Sequence, residues 1–133
     1  MNTEVMFSKK TDDWSTPKEF YNKLDKEFNF DFDPCPLKSS ENGLQKDWIG
    51  NVFINPPYSN IKAFLEKGLE ELKKGNAKTL VYLVPARTDT RWFHDYVYNK
   101  AEIRFIKGRL KFGDSKNSAP FPSMLVIFRN TSP

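Results

Sequence analysis

Apolar residues recur on two different periods along this chain, and the switches between them mark its elements. Phe20, Leu24 and Phe28 are four residues apart, the spacing that lines one buried stripe of a helix. Just ahead, Thr16-Pro17-Lys18-Glu19 offers a capping hydroxyl, a proline at the first helical position and a glutamate placed to close a capping box. A helix is expected from there to about Phe28. Phe28, Phe30 and Phe32 then alternate with Asn29, Asp31 and Asp33, the two-residue period of a strand, which Pro34 and Pro36 stop. From Leu37 to Gly50 no clean period appears, and the polar cluster 38–43 reads as a loop ahead of Trp48.

Val52-Phe53-Ile54 is a short apolar run, read as a strand. Beyond it Ser59 or Asn60 can cap a helix with Ile61, Phe64, Leu65, Gly68, Leu69 and Leu72 on one face, ended by Gly75. Thr79 to Val84 is β-branched and stops at Pro85; a loop then leads to a helix carrying Trp92, Phe93, Tyr96 and Val97. Another strand is expected near Glu102 to Ile106. Arg109 to Phe112 and Met124 to Arg129 look like strands flanking a loop, 113–122, rich in small residues and prolines. That loop is either a plain connection or a flap. Residues 1–13 are polar with scattered hydrophobes and read as a mobile arm, and 14–133 as one domain.

Helices alternating with short strands predict an α/β sandwich with a largely parallel sheet and an antiparallel strand at the carboxyl end. Ligands bind such sheets beyond the carboxyl ends of the strands. Three loops follow predicted strands, Asp33-Pro34-Cys35, Asn55-Pro56-Pro57-Tyr58 and Pro85-Ala86-Arg87, and are expected to converge on one crevice.

Composition narrows the classes. At 133 residues the chain has room for one packed core and none for a separate large recognition domain. Hydrophobic residues make up 38% and Phe contributes 12 residues, so the chain folds around aromatic rings. Lys and Arg outnumber Asp and Glu by 21 to 17, which fits a polyanionic partner and fits a solvated basic surface equally well. The single Cys35 excludes an internal disulfide, and residues 1–10 contain neither a signal-type apolar stretch nor a span. A reducing cytoplasm is the natural compartment.

The chemistry concentrates at Asn55-Pro56-Pro57-Tyr58. Two successive prolines stiffen the turn and remove two amide donors, leaving carbonyl oxygens pointing outward. Asn55 adds a side-chain acceptor, and Tyr58 a flat ring that can stack on a base. Rigid acceptors beside a stacking surface suit a planar amino group; the plain alternative is a Pro-rich turn. The four residues resemble the signature Asn/Asp/Ser-Pro-Pro-Tyr/Phe/Trp of amino-group methyltransferases that use S-adenosylmethionine.

Trp14-Ser15-Thr16-Pro17 resembles the Thr-Pro element before the first helix of some adenine methyltransferases, where hydroxyl and helix start receive the cofactor's carboxylate. Thr16 also reads as an ordinary cap. Phe32-Asp33-Pro34-Cys35-Pro36 resembles the acidic strand end that holds the cofactor, while on its own Asp33 reads equally as a turn residue. A Gly-rich turn usually follows that acidic residue in the broad class, and Pro36-Leu37-Lys38-Ser39-Ser40 stands here instead. The interval from Asp33 to Asn55 is also short for the class. Either the fold is abridged or Asp33 ends a different strand, and Asn42 and Gly43 are candidates for part of the missing loop.

More of the chain is similar to a narrower family, the small Dam-like adenine DNA methyltransferases of bacteriophages and prophages. The likeness runs from Trp14 to Phe128 and adds Leu83-Val84-Pro85-Ala86-Arg87-Thr88-Asp89-Thr90, Trp92-Phe93-His94 and Gly108-Arg109-Leu110-Lys111-Phe112. The resemblance implies an abridged Rossmann-like three-layer sandwich and methyl transfer from S-adenosylmethionine to the N6 amino group of adenine in double-stranded DNA, in a bacterial host cell. It implies catalytic roles for Asn55, Pro56, Pro57 and Tyr58, and cofactor contacts from Thr16, Pro17, Asp33, Pro34, Cys35 and Asn55, with Cys35 as a packed small residue. Arg87, Thr88, Asp89 and Arg91, with Arg109 and Lys111, are the candidate DNA contacts; for the last two a charged edge strand is the alternative. Methyl transfer to nitrogen needs no metal, and the Cys/His content is too low for zinc. His94, the one histidine, falls in a helical aromatic cluster, as a structural residue or a substrate contact. Open alternatives are methylation of cytosine N4, RNA or a glutamine amide, and a nucleic-acid-binding module without catalysis.

Overall fold

The computed structural model describes residues 16–35, 40–111 and 120–130. The expected arm, Trp14, Ser15, Pro36, Phe112 and most of the 113–122 loop lie outside these residues. The described elements are helix α1 (Lys18–Phe28), a 3-10 turn at Ser40–Gln45, strand β1 (Gly50–Ile54), a 3-10 turn at Tyr58–Asn60, helix α2 (Ile61–Lys74), strand β2 (Ala77–Pro85), a π-helix (Phe93–Val97), and strands β3 (Glu102–Phe105) and β4 (Ser123–Arg129).

The sheet runs in the order β1-β2-β4-β3. β1 and β2 are parallel and joined by α2, the crossover that parallel neighbours need. Leu80 through Pro85 are all buried, the near-continuous apolar run expected of a strand covered on both faces. Alternate residues build two cores. Val52, Ile54, Leu80, Tyr82, Val84, Met124 and Val126 pack with Phe64 and Leu65 of α2 and with Phe93 and Val97 of the π-helix. Phe53, Val81, Leu83, Leu125 and Ile127 pack with Leu24 and Phe28 of α1. Helices therefore cover both faces, as an α/β sandwich requires.

The sheet is mixed, however, not largely parallel. β4 pairs antiparallel with β2 and with β3, so two of the three ladders are antiparallel. The carboxyl-terminal strand is antiparallel as expected, but it is inserted between β2 and β3 instead of closing an edge. Buried from Ser123 to Phe128, it can occupy that interior place.

The strand expected over Phe28 to Phe32 is reduced to a single parallel bridge from Phe32 to Val52. Its first residue belongs to α1, which Asn29 ends in the left-handed conformation (φ 53°), donating to Asp25 O at 2.8 Å. Asp25 Oδ1 also accepts from Phe30 N at 2.9 Å. The bridge is reinforced on both sides, by Asp31 N to Asn51 O at 2.7 Å and Phe53 N to Phe32 O at 3.1 Å. A segment ending at Asp33 thus lies directly beside β1, and the short interval to Asn55 needs no intervening strand.

Two other expectations change. Residues 109–111 form no strand; the chain turns at Gly108 (φ 74°) and only Leu110 packs back on the core. Trp92 to Val97 winds mostly as a π-helix, burying Phe93 and Val97.

α2 buries one residue that apolar spacing missed. Glu71, 0% exposed, accepts from Trp48 N at 2.8 Å and Asn76 Nδ2 at 3.2 Å through Oε1, and meets Lys67 and Lys74 through Oε2. Burial alone would raise its pKa, but these bonds from Trp48, Asn76 and Lys67 outweigh it and hold the carboxyl at about 2. Trp48, itself 0% exposed, stacks on Phe64 and donates Nε1–H to Gly43 O at 2.9 Å. One buried carboxylate so fastens the segment between the Asp33 loop and β1.

Candidate active site

Because the Phe32 segment, β1 and β2 run parallel, their carboxyl ends share one edge of the sheet. Asp33-Pro34-Cys35, Asn55 to Tyr58 and Ala86 onwards all leave from it, as the sequence suggested. Antiparallel β4 starts at the same edge, with Ser123 opposite Pro85, and Ala86 N donates to Pro122 O at 2.8 Å.

Asn55 is 7% exposed. Its Nδ2 donates to Thr16 Oγ1 at 3.0 Å, and its acceptor end, Oδ1, is buried. Contrary to the capping-box reading, Pro17 holds the cap position of α1, and among the described residues no side-chain cap bond is made there. The Thr16 hydroxyl has been drawn to Asn55. Pro56 and Pro57 are buried. The Pro57 carbonyl does not point outward but accepts from Asn60 N at 3.0 Å, closing the 3-10 turn. Asn60 stands at the amino end of α2, again without a side-chain cap bond.

Tyr58 begins that turn half-buried. Phe121 packs edge-on against its ring at 5.3 Å between centroids. Its hydroxyl is buried without a hydrogen-bond partner, and burial pushes its pKa far above the ordinary phenol range. The group stays protonated and is a donor.

Asp33 is both a turn residue and an acceptor. Its Oδ1 receives Cys35 N–H at 2.8 Å; burial nevertheless raises the carboxyl to about 6, only partly offset by that bond. Cys35 is buried in the α2-side core. Gly43 is buried against Pro34, whose carbonyl oxygen a Cβ there would strike, so the 3-10 turn abuts the Asp33 loop only because residue 43 is glycine.

Arg87, Thr88, Asp89 and Arg91 are exposed on a loop shaped by Thr90 Oγ1, which donates to Arg87 O at 2.9 Å and accepts Phe93 N–H at 3.3 Å. His94 lies 2.7 Å from Thr88 O through Nε2 and packs on Phe93, so its visible role is to hold this loop. Arg109 and Lys111 are exposed past the end of β3. β3 runs parallel to β2 through their shared neighbour β4, so this segment also leaves from the site's edge.

Sequence reasoning passed over Phe121 and Ser123. The available signal was period: Phe121, Ser123, Leu125 and Ile127 alternate, and Ser123 is the hydroxyl in an otherwise apolar series.

Residues 3–133 match the family described as DNA N-6-adenine-methyltransferase (Dam). The chain belongs to this family. A DNA N-6-adenine-methyltransferase of Haemophilus phage HP1 is 31% identical over 139 aligned positions, covering 90% of this chain and 80% of that protein. One of Escherichia phage T1 is 32% identical, covering 73% of this chain and 45% of that longer protein. Among solved structures, a putative RNA methyltransferase from Pyrococcus horikoshii aligns with TM-score 0.46 at 13% identity, over 65% of this chain and 46% of its own. The family match contains all the edge loops of the sheet. Among the described residues no helix is long and apolar enough to cross a membrane, and no cluster of His, Cys, Asp or Glu could hold a metal.

Proposed function

We propose that this chain transfers a methyl group from S-adenosylmethionine to the exocyclic N6 amino group of adenine in double-stranded DNA, as a phage- or prophage-encoded enzyme. The observation that carries this reading is the Asn55 amide, oriented by Thr16 at the sheet edge and followed by the rigid Pro56-Pro57 turn. Family membership supplies the base and the nucleic acid.

The residues present fit the cofactor. Among the described residues α1 has no side-chain cap, leaving backbone N–H groups of its first turn to receive a carboxylate at a helix amino terminus. Thr16 Oγ1 accepts from Asn55 and keeps its own proton to donate. Asp33, largely ionised at neutral pH, would accept from the ribose hydroxyls or the ammonium group through Oδ2. Pro17, Pro34 and Cys35 shape the walls. Bound there, S-adenosylmethionine supplies an electrophilic methyl group on a sulfonium.

The target base leaves the stack and enters beside Tyr58. Asn55 Oδ1 and the Pro56 carbonyl accept hydrogen bonds from the amino group, aiming the nitrogen lone pair and favouring the positive charge that grows on it. The amino nitrogen gains the methyl group and gives up one proton to solvent. Because Asn55 is 7% exposed, the edge must uncover as the base arrives. Arg87 and Arg91 stand on exposed loop positions suited to phosphate, with Thr88 and Asp89 between them, and Arg109 and Lys111 extend the same basic edge.

The test is incubation with isotope-labelled S-adenosylmethionine and unmethylated duplex DNA, the modified nucleoside being identified by mass spectrometry. Labelled N6-methyladenine, lost in Asn55→Ala, is the expected result. Labelled methylcytosine would overturn the base assignment, and absence of label from DNA would overturn the reaction.

A further inference from the structure

The face of β4 that packs towards α1 begins with a hydroxyl, Ser123, and continues with Leu125 and Ile127. Ser123 is 1% exposed, and among the described residues its Oγ and the Tyr58 hydroxyl are the buried hydroxyls without a hydrogen-bond partner. Phe121, two residues before Ser123, lies against the Tyr58 ring at 5.3 Å, so the two hydroxyls belong to one corner of the sheet edge. The backbone there is fixed from both sides: Ser123 is opposite Pro85 in the ladder, and its carbonyl receives Ile106 N–H at 3.3 Å.

We propose that Ser123 contacts the target base, its hydroxyl donating to a ring nitrogen of adenine beside the amino group, N1 or N7. The inference rests on the adenine methyltransferase reading and deepens it. A buried hydroxyl without a partner costs stability that alanine at the same place would not. Such a group persists where something other than packing requires it. Asn55 and Pro56 provide acceptors only, and acceptors grip any amino group. A donor aimed at a ring nitrogen supplies the complementary half of recognition, and a glutamine amide has no such nitrogen to meet it. Ser123 is as covered as Asn55, and the uncovering that admits a base to Asn55 occurs at the same edge.

The test compares wild type, Ser123→Ala and Ser123→Cys on duplexes carrying adenine, 1-deazaadenine or 7-deazaadenine at the target, after the methylated site is mapped. Ser123→Ala is expected to melt no lower than wild type and to bind S-adenosylmethionine equally. Its kcat/KM on adenine should fall about tenfold, the scale of one lost hydrogen bond to a buried partner. Ser123→Cys, with a weak donor of similar volume, should lie between. On one of the two deaza duplexes wild type and Ser123→Ala should become equal, because the acceptor is gone. Unchanged kcat/KM in Ser123→Ala, or an equal loss on all three duplexes, overturns the contact while leaving the enzyme reading intact. A wild type that methylates no duplex overturns both.

Discussion

The side-chain amide of Asn55 donates to the hydroxyl of Thr16 at 3.0 Å, across 39 residues of sequence. One bond joins the loop assigned to the target amino group to the helix start assigned to the cofactor. It also fixes which end of the amide carries the acceptor, since using Nδ2 on Thr16 turns Oδ1 the other way.

Thr16→Val should therefore lower kcat/KM for DNA by roughly tenfold even though Thr16 meets no base, and Asn55→Ala by roughly 100-fold or more. Combined, the two should cost less than the product of the single effects, because valine already releases the amide that alanine removes. Steady-state kinetics of the four proteins measure this coupling; independent effects would argue against it.

Asp33 should give cofactor binding an acid limb. Burial lifts its carboxyl to about 6, so affinity for S-adenosylmethionine should decline as pH falls through that value, and Asp33→Asn should bind weakly with no such limb. The stability sign is opposite. The folded pKa exceeds the ordinary 3.8, the folded state binds more proton between the two, and stability falls as pH rises from about 4 to 6. Asn at this place, keeping the turn bond from Cys35, should stabilise the protein at pH 7.5 by roughly 1–2 kcal/mol. Calorimetric binding and thermal melts across pH 5–8 check both halves.

Glu71 works the other way. Held at about 2 against an ordinary 4.5, it stabilises the fold above pH 4.5, and this contribution is lost as pH falls from 4.5 towards 2, on the order of 3 kcal/mol in all. Glu71→Gln should unfold at lower denaturant at pH 7, and the difference from wild type should shrink on acidification. A gap that stays constant from pH 7 to pH 3 would mean the charge is not the cause.

Gly68 lies where α2 crosses Tyr82, whose hydroxyl donates to Phe64 O at 2.7 Å. A Cβ at Gly68 would collide with that hydroxyl, so Gly68→Ala should lose roughly 2–3 kcal/mol despite alanine's better helix propensity. Tyr82→Phe should recover part of the loss in the double variant while costing stability alone. Urea unfolding of the four proteins tests the pair.

Arg87→Ala and Arg91→Ala should each weaken DNA binding across sequences and lower the slope of log affinity against log salt by about 1, if each meets one phosphate. Titration at several salt concentrations distinguishes this from a base contact, which would change sequence preference and leave the slope nearly unaltered.

What could be read from the chain follows from what is local. α1, α2 and the Gly75 stop announced themselves by period and by one glycine, and the three edge loops followed from the strand ends. Only the capping role given to Thr16 fails, because its partner is remote: the hydroxyl meets Asn55, which only the folded chain brings near. Glu71 escaped because a charge on an apolar face looks like an error until Trp48 and Asn76 surround it. The sheet order was illegible for a similar reason. β4 is apolar enough for an interior position, yet no residue in it states that its neighbours are β2 and β3. Pro57 shows the remaining gap, since the sequence sets its φ but not the Asn60 amide that takes its carbonyl.

The insertion of β4 between β2 and β3 gives the polypeptide a timing. Among the described residues β3 pairs with β4 alone, and β4 is the last of the described strands along the chain. A chain that stops short of Phe121 already carries Asn55 and the Asp33 loop but lacks the middle of its sheet, and its Tyr58 lacks the Phe121 ring.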